Sequence, residues 1–430
     1  MRATTPAAGE ARFAALHQRN FVLMWTGLIV SNVGTWMQNV AQGWLILQLT
    51  NSPLWLGLLG LSFALPMIFL PLFGGAVVDR VHRVRLLYFT QTAFMLNAFA
   101  LAALTWLGVV NVWYILITSF VGAALLALDN PARQALIPDL VPPSVLLNAL
   151  SLNSATYNGA ALVGPALAGM LLAPLGAGTL FFVNGVSYLA VIIALFAMKD
   201  VRSHSSSTGV HASIGKSMLT GLQYAWRSRL IFALLGLSTL AAIFGRSYQN
   251  LLPIFARDIW HSGPEGYGLL LSAAGGGALV GAFGLASIKQ MTRQGAMMIV
   301  SGLIFSASLI AFAISPSLFV GIALLFIAGL TATVFGTIIA TFVQIATPNE
   351  LRGRVMSLYA ITLIGLPSLG ALGSGASAEL LGGSAGAPRA VLIGATILGV
   401  VLLCVAPLFW QRSMSAPKKE ERPSAIAPND

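Results

Sequence analysis

The chain has 430 residues, of which 57% are hydrophobic and only 8% are charged, and its mean hydropathy is +0.85. Because a water-soluble globular protein has about 25% charged residues, this chain cannot cover a water-facing surface and must expose its outer surface to lipid. The formal net charge is +11, but the basic residues stand in short clusters between apolar runs. That distribution is typical of membrane topology and argues against a nucleic-acid partner.

The sequence shows no catalytic, metal-binding or nucleotide-binding motif. Its single cysteine, Cys404, excludes a disulfide within the chain, and its 5 histidines are scattered without metal-ligand spacing. It has no Walker-type phosphate loop and no nucleophile–base pair. We therefore expect no enzymatic activity, no cofactor and no bound metal. The polar N-terminal segment lacks a signal-peptide pattern, so the first membrane helix is expected to direct insertion.

The apolar runs, taken in chain order, predict an all-α integral membrane protein. A helix needs about 20 apolar residues to cross a bilayer, and the sequence contains twelve such runs. They lie at approximately 21–48, 54–78, 86–107, 111–129, 146–172, 179–198, 230–256, 266–288, 296–315, 318–345, 355–381 and 390–410. An even number of spans places both termini on the same side of the membrane.

The basic residues predict which side that is. With the termini in the cytoplasm, nearly all of the 23 lysines and arginines lie on the cytoplasmic side, Arg257 and Arg389 lie outside, and Arg246 lies within a span. This asymmetry follows the positive-inside rule. We therefore expect a multi-pass protein of the cell (inner or cytoplasmic) membrane with both termini in the cytoplasm.

The longest polar stretch between spans follows the sixth span and divides the chain into six plus six. The predicted organisation is an N-terminal segment at 1–20, a six-helix bundle at 21–198, a cytoplasmic linker at 199–229, a second six-helix bundle at 230–412 and a disordered tail at 413–430.

The two halves also resemble each other in sequence. Pro142, Ser151 and Leu152, at the entry to span five, recur with the same spacing as Pro348, Ser357 and Leu358 at the entry to span eleven. Pro53 and Gly57, at the start of span two, correspond to Pro264 and Gly268 at span eight. These matches predict two bundles related by an axis along the membrane normal.

Two motifs carry a resemblance to a known family. The loop between spans two and three, Gly75-x-x-x-Asp79-Arg80-x-x-Arg83-x-Arg85, resembles motif A of the major facilitator superfamily. A second motif in span five looks like the signature of that family's exporters, and it comprises Gly159, Gly164, Pro165 and Gly169. Further stretches, among them Trp36–Trp44 and Asn130–Pro138, resemble the drug- and siderophore-exporter branch, whose members are enterobactin-exporter-like and macrolide-efflux-like.

The resemblance implies a cytoplasmic gate. Asp79 would lie at the N-terminus of helix eleven, where the helix dipole favours an anion, and Arg83 would pair with Asp129, with Arg133 as a second possible partner of Asp129. Contacts made in one state only bias the equilibrium between states. The residues of this predicted conformational switch are Gly75, Asp79, Arg80, Arg83, Arg85, Asp129 and Arg133. The simpler alternative is that the arginines merely follow the positive-inside rule.

Polar residues inside spans predict a central cavity, because they are costly in lipid unless they face the bundle interior. At 100° per residue, the amides of helix one share a face, and helices five, seven and ten show similar alignments. The candidate substrate contacts are Asn32, Trp36, Asn39, Gln42, Asn153, Tyr157, Arg246, Gln249, Asn250 and Thr337. The alternative for any single one of them is a hydrogen bond between helices.

Energy coupling is expected to be proton antiport, the default of the family, which needs a titrating carboxylate. Glu379 is the acid that the spans embed most deeply, so a pair between Arg246 and Glu379 is the predicted proton-sensitive element. A static ion pair at the outer end is the alternative.

The function implied is efflux of small amphipathic molecules of the multidrug or siderophore class by secondary active transport with alternating access. The alternatives are a lysolipid flippase or a facilitator-type importer on the same scaffold, and a membrane sensor that does not transport. The expected partners are a small-molecule substrate, the proton gradient and the lipid bilayer, and the protein is expected to be a monomer.

Asp79→Asn tests the gate. Removing this charge is expected to lower transport severalfold, because the anion would no longer stabilise the closed cytoplasmic side. Transport is measured in cells alongside the membrane abundance of the protein, which should not change. Transport at the wild-type rate would contradict the gate.

Overall fold

The computed structural model describes residues 13–70, 81–198, 222–288 and 293–410, and these ranges are helical almost throughout, without a strand. We number the long helices α1 to α12. Their bounds are α1 Arg19–Thr50, α2 Pro53–Phe69, α3 Arg83–Trp106, α4 Val112–Leu140, α5 and α6 within Leu146–Ala197, α7 Arg229–Ile259, α8 Gly263–Ala286, α9 Gln294–Ala313, α10 Leu318–Ala346, α11 Asn349–Leu380 and α12 Ala387–Phe409. Short 3₁₀ turns lie at Ala14–His17, Pro143–Val145 and Gly383–Gly386.

The twelve predicted spans agree with these helices. Nine helical segments of the described chain are long and apolar enough to cross a membrane. One of them is two spans, since its backbone breaks at Gly176, where a φ of 74° is accessible to glycine and separates α5 from α6. The 32-residue α1, which is rich in amides, and the shorter α2 complete the set.

One predicted boundary was wrong. The fourth span was expected to end at 129, but α4 continues to Leu140 and contains Pro131 and Pro138. The polar run after residue 129 resembled a loop in the sequence. In the structure it continues the helix: Asp139 pairs with Arg83 of α3, and Arg133 contacts Asp129 and Asn130 of α4 itself. Asp129 therefore lies inside the bundle and not at its edge.

Two ends of the molecule can be defined. The terminal face is where α1 begins at Arg19 and α12 ends at Phe409, and the far face is where α1 ends at Thr50 and α11 ends at Leu380. Helices α1 to α6 form an N-terminal group and α7 to α12 a C-terminal group. The largest contacts between the groups are made by α5 with α8 and by α2 with α11. The predicted limits of the linker at 199 and of the tail at 413 lie outside the described residues.

Glycines allow these two crossings to be close, and we call them the glycine seams. In the first seam, a Cβ on Gly169 of α5 would lie 3.0 Å from the carbonyl oxygen of Pro264 on α8. A Cβ on Gly268 would overlap the carbonyl oxygen of Pro165. Each helix thus presents a bare backbone to the other, as in small-residue packing of membrane helices.

The second seam repeats the first. A Cβ on Gly375 of α11 would lie 2.6 Å from the carbonyl oxygen of Pro53 on α2, and a Cβ on Gly57 would lie 2.7 Å from the carbonyl oxygen of Ala371. The pair Pro53 and Gly57 is the one that the sequence repeat matched to Pro264 and Gly268. Equivalent residues therefore make equivalent contacts, as two bundles related by an axis would require.

Helix α5 also packs closely against α1 within the N-terminal group. A Cβ on Gly164 would lie 2.5 Å from Cβ of Trp36 and 3.1 Å from the carbonyl oxygen of Val33. Gly159, by contrast, has nothing within 4 Å of a Cβ. Of the exporter-like motif, Gly164 and Gly169 thus fix α5 between α1 and α8, and Gly159 lies in open space.

Gly268→Ala tests the first seam. Its methyl group would meet a backbone oxygen that cannot move aside, so we expect a loss of about 1–3 kcal/mol and a melting temperature several degrees lower. The matched control is Gly159→Ala, whose methyl group meets nothing and improves helix propensity. Tryptophan fluorescence during heating in detergent measures both, and equal melting temperatures would contradict close packing at Gly268.

Candidate functional site: a central cavity between the two groups

A cavity lies between the two helix groups and has two lobes. Lobe 1, of about 510 Å³, is bounded by both groups, and lobe 2, of about 620 Å³, is bounded by the N-terminal group. The lobes share a wall that includes Trp36, Asn39, Gln42 and Tyr157. The two lobes are therefore adjacent, and the wall that they share has both amide and aromatic side chains.

Most predicted cavity residues line one of the lobes. Lobe 1 contains Trp36, Asn39, Gln42, Tyr157, Arg246, Gln249 and Asn250, and lobe 2 contains Asn32, Trp36, Asn39, Gln42, Asn153 and Tyr157. Thr337 lines neither lobe, and its carbonyl oxygen accepts a hydrogen bond from Thr341. Thr333, one turn earlier on α10, faces lobe 1 instead, because the cavity-facing side of α10 lies closer to the far face than we predicted.

The aromatic side chains form part of the cavity wall. The rings of Trp36 and Tyr157 meet edge to face with centroids 6.2 Å apart, and 59% of Tyr157 is exposed. Rings can cover the apolar part of a ligand and keep a polar group at its edge. This wall suits an amphipathic molecule.

Several polar side chains of α1 form hydrogen bonds within the protein. The side-chain amide of Asn32 donates to the carbonyl oxygen of Leu28 at 2.8 Å, and Gln38 accepts from Asn184 of α6 at 2.7 Å. Gln42 differs: it is 4% exposed, and its Nε2 has no hydrogen-bond partner among the described residues. Gln42 thus presents a free donor at a position that borders both lobes.

Helix α7 is irregular where it borders the cavity. Residues Ala241–Gly245 form a π-turn, and the backbone N–H of Arg246 bonds to the carbonyl oxygen of Ala241 at 3.1 Å. The helix resumes at Tyr248. Such π-turns inside α-helices are frequent at functional sites. The guanidinium of Arg246 lines lobe 1 and makes neither a hydrogen bond nor an ion pair within the described ranges.

Asp129 forms a buried polar cluster in the wall of lobe 2. The residue is 1% exposed, and its Oδ1 accepts hydrogen bonds from Thr90 Oγ1 at 2.7 Å and from Gln91 Nε2 at 2.8 Å. Arg133 approaches its Oδ2 to 3.6 Å and also donates to Asn130. The predicted contact between Arg133 and Asp129 is therefore present.

Arg83 does not contact Asp129 in this structure, whereas the pairing was predicted for the state in which the cytoplasmic side is closed. Arg83 Nη1 instead lies 2.6 Å from Asp139 Oδ2 and donates to the carbonyl oxygen of Ala135 at 2.9 Å. The antiparallel register of α3 and α4 explains the difference. The beginning of α3 lies beside the end of α4, and Asp129, roughly three turns before that end, lies beside Thr90.

Three of the seven predicted gate residues, Gly75, Asp79 and Arg80, fall outside the described residues. Arg85 lies in the first turn of α3, and its side chain is exposed. The role of these residues in gating remains a prediction.

The predicted pair between Arg246 and Glu379 is not formed. Glu379 lies in the last turn of α11 at the far face, where its Oε2 accepts from Ser52 Oγ at 2.7 Å and from the backbone N–H of Leu54 at 3.4 Å. Since Pro53 has no N–H, Leu54 offers the first free donor of α2, and a carboxylate there also faces the positive end of the helix. Glu379 therefore binds the start of α2 and not Arg246.

A second polar contact joins the groups at the same face. Arg257 of α7 donates from Nη1 to the carbonyl oxygen of Leu47 on α1 at 2.8 Å and pairs with Asp258 at 2.6 Å. We call the contacts of Glu379 and Arg257 the far-face latch. Together with the glycine seams, the latch joins the two groups at the far face. Lobe 2 extends towards Gln134 and Asn153 near the terminal face.

Sequence reasoning missed part of the cavity wall. Gln91 and Asn97 of α3 and Ser119 of α4 line lobe 2, and Tyr267 of α8 lines lobe 1. An amide at 91 and another at 97 within an apolar helix was an available signal. Polar residues in α1, α5, α7 and α10 gave a stronger pattern, because several of them align on one face of each helix.

The chain is a membrane transporter of the major facilitator type. The chain belongs to the transmembrane secretion effector family of that superfamily, whose family model matches residues 10–425. The resemblance to drug and siderophore transporters that the motifs indicated is thereby confirmed.

Two relatives agree with this assignment. The staphyloferrin A transporter of Staphylococcus aureus (strain NCTC 8325 / PS 47) is 23% identical over 384 residues, which cover 88% of this chain and 92% of that protein. The multidrug efflux pump Tap of Mycolicibacterium fortuitum is 24% identical and covers 82% of this chain and 88% of the pump.

A solved structure shows the same fold. The bacterial homolog of the human lysosomal transporter Spinster, in an inward-facing and unoccupied conformation, superposes with a TM-score of 0.69. The alignment covers 96% of this chain and 100% of that chain at 16% identity. At this identity the match supports the fold alone.

Glu379→Ala tests the far-face latch. Loss of a hydrogen-bonded carboxylate at an exposed site should destabilise the closed state of this face by about 0.5–1.5 kcal/mol relative to the open state. The open fraction should therefore rise severalfold. Spin labels at the exposed positions 49 and 380, introduced in a Cys404→Ser background, report the distance between α1 and α11. Glu265→Gln, which removes an acid from the same face, is the control, and identical distance distributions for all three proteins would contradict a latch.

Proposed function

We propose that this protein is a secondary active exporter of small amphipathic molecules that works by alternating access and proton antiport. The observation that carries this proposal is the cavity, which lies between two helix groups, is closed at one face, and combines amides and aromatic rings on an apolar frame. An exporter must hold its substrate between two halves that can separate on either side.

The conformation suits loading from the terminal face. Two hydrogen-bonded contacts between the groups lie at the far face, where Glu379 meets Ser52 and Arg257 meets Leu47. A third, from Ser272 Oγ of α8 to the carbonyl oxygen of Leu162, lies midway along α5. The wall of lobe 2 continues to Gln134, four residues before Pro138 near the end of α4. If the terminal face is cytoplasmic, as the basic residues predict, this is the inward-open state, and the protein is a component of the cytoplasmic membrane with both termini inside.

The chemistry of the wall defines the substrate in general terms. Trp36, Tyr157 and Phe63 offer apolar surface, and Asn39 and Gln249 offer hydrogen bonds. Pockets of this kind bind ligands through many weak contacts and few oriented ones. The names of two relatives, a siderophore transporter and a multidrug pump, fit such a substrate range.

Asp129 is the carboxylate best placed for proton coupling. Among the described residues, Asp129 is the only acidic one that lines either lobe. It lies in the part of lobe 2 that extends towards the terminal face. A buried acid inside a membrane bundle is costly and is typical of proton relays. When Asp129 takes up a proton, Arg133 keeps its hydrogen bond to Asn130 but loses its ion-pair partner, so the charge of lobe 2 changes by one unit. Glu379, the predicted carrier, instead holds the latch.

Asp129→Asn should abolish accumulation driven by a pH gradient, because an amide keeps the shape of the site but cannot release a proton. Transport is measured in proteoliposomes with an acidic lumen, where an antiporter accumulates fluorescein or rhodamine 123 inside. Exchange of labelled for unlabelled dye without a gradient should continue in this variant. Asp129→Glu should recover part of the accumulation, and Glu265→Gln should match the wild type.

Three results would count against this proposal. Accumulation by Asp129→Asn at the wild-type level would remove Asp129 from the coupling step. Accumulation that persists after an ionophore collapses the gradient would contradict antiport. Movement of a fluorescent lysolipid between leaflets, without movement of either dye, would replace the exporter by a lipid flippase.

A further inference from the structure

Arg246 places an unbalanced positive charge in lobe 1. The residue is in the middle of α7, with its side chain exposed to the cavity, and the described residues provide it with no hydrogen-bond or ion-pair partner. A charged side chain at this depth is expensive and is normally paired or functional. The absence of a protein partner indicates that the partner arrives with the ligand.

The described acidic residues are all placed elsewhere. Asp129 belongs to lobe 2 and is already matched by Arg133, Thr90 and Gln91. Asp139 pairs with Arg83 near the end of α4, and Asp258 pairs with Arg257 at the far face. Glu265, Glu350 and Glu379 lie in the terminal turns of their helices. Lobe 1 therefore has a net positive wall.

A second group in lobe 1 also lacks an acceptor. Gln42 is buried, lines the same lobe, and its Nε2 makes no hydrogen bond within the described ranges. A buried donor without a partner costs about 1–3 kcal/mol. Gln42 and Arg246 belong to different helix groups, so a ligand that accepts from both would bridge α1 and α7.

The backbone of α7 is held in the shape that presents Arg246. A Cβ on Gly370 of α11 would overlap the carbonyl oxygen of Ile243, and a Cβ on Gly394 of α12 would lie 3.0 Å from the carbonyl oxygen of Phe244. Both carbonyls belong to the π-turn. Glycines on two neighbouring helices therefore leave room for the wider turn directly before Arg246. This packing indicates that the π-turn is a structural part of the site.

We propose that lobe 1 is an anion subsite, in which Arg246 and Gln42 bind a carboxylate or similar anionic group of the transported molecule. The aromatic wall formed by Trp36 and Tyr157 would cover the apolar remainder. Guanidinium is the side chain best suited to carboxylates, since it can donate two parallel hydrogen bonds. This inference rests on the proposed function and narrows its substrates to amphipathic anions.

Binding of two dyes to the purified full-length protein in detergent tests the subsite. Fluorescein and rhodamine 123 share a xanthene core but are anionic and cationic, respectively, at neutral pH. Fluorescence anisotropy measures each affinity. We expect the wild type to bind fluorescein about tenfold more tightly than rhodamine 123, and Arg246→Gln to lose that preference. Arg246→Lys should keep part of it.

Arg246→Glu provides a readout that misfolding cannot imitate, because it should reverse the preference in favour of rhodamine 123. Arg389→Gln is the matched control: it removes one arginine at the far face, where Nη1 of Arg389 donates to the carbonyl oxygen of Leu381, and it should bind both dyes as the wild type does. Gln42→Leu should weaken fluorescein alone, by a few fold.

The outcomes separate this inference from the proposed function. Equal binding of the two dyes by the wild type, or fluorescein binding unchanged in Arg246→Gln, would overturn the anion subsite even if proteoliposomes transport rhodamine 123. Charge-selective binding that depends on Arg246, in a protein that moves neither dye across a membrane, would support the subsite and overturn the exporter.

Discussion

The rest of the structure depends on the close approach of bare backbones at the two glycine seams. Between membrane helices there is little hydrophobic driving force, so packing distance sets the strength of association. Gly268 against Pro165 in one seam, and Gly375 against Pro53 in the other, let helices of different groups touch through their main chains. Each seam is narrow, and neither fills the space between the groups. The cavity is the space that the seams leave open.

The distribution of charge follows from the same arrangement. The carboxylates that a membrane protein can hold at low cost are those at helix ends or those with several donors, and the structure uses both solutions. Glu379 caps the start of α2, and Asp129 receives hydrogen bonds from two side chains of α3. Arg246, a cation in the middle of α7, has no hydrogen-bond acceptor or anionic partner among the described residues. An isolated cation distinguishes this cavity from one with a purely apolar wall. It is the basis of the proposal that the substrate carries negative charge.

Local sequence patterns predicted much of the fold. Apolar runs of membrane length located every span, and the match of Pro53 and Gly57 with Pro264 and Gly268 anticipated that both seams are built alike. The polar face of α1 located one wall of the cavity. The differences between the predictions and the structure have a common origin. The end of α4, the partner of Arg83 and the partner of Glu379 all depend on which helix lies alongside, and charge spacing along one chain does not contain that information.

The sequence by itself determined that this is a membrane transporter with two similar halves. Composition, span length and repeated motifs can be read along one chain, because the lipid environment requires apolar runs of a fixed length whichever helices become neighbours. Only the tertiary structure decided which charges are matched. The antiparallel register of α3 and α4 gives Arg83 to Asp139 and buries Asp129 deeper in the bundle, and a π-turn in α7 directs Arg246 into lobe 1. Pairing is decided by distances between helices, and those distances exist only after the helices have packed.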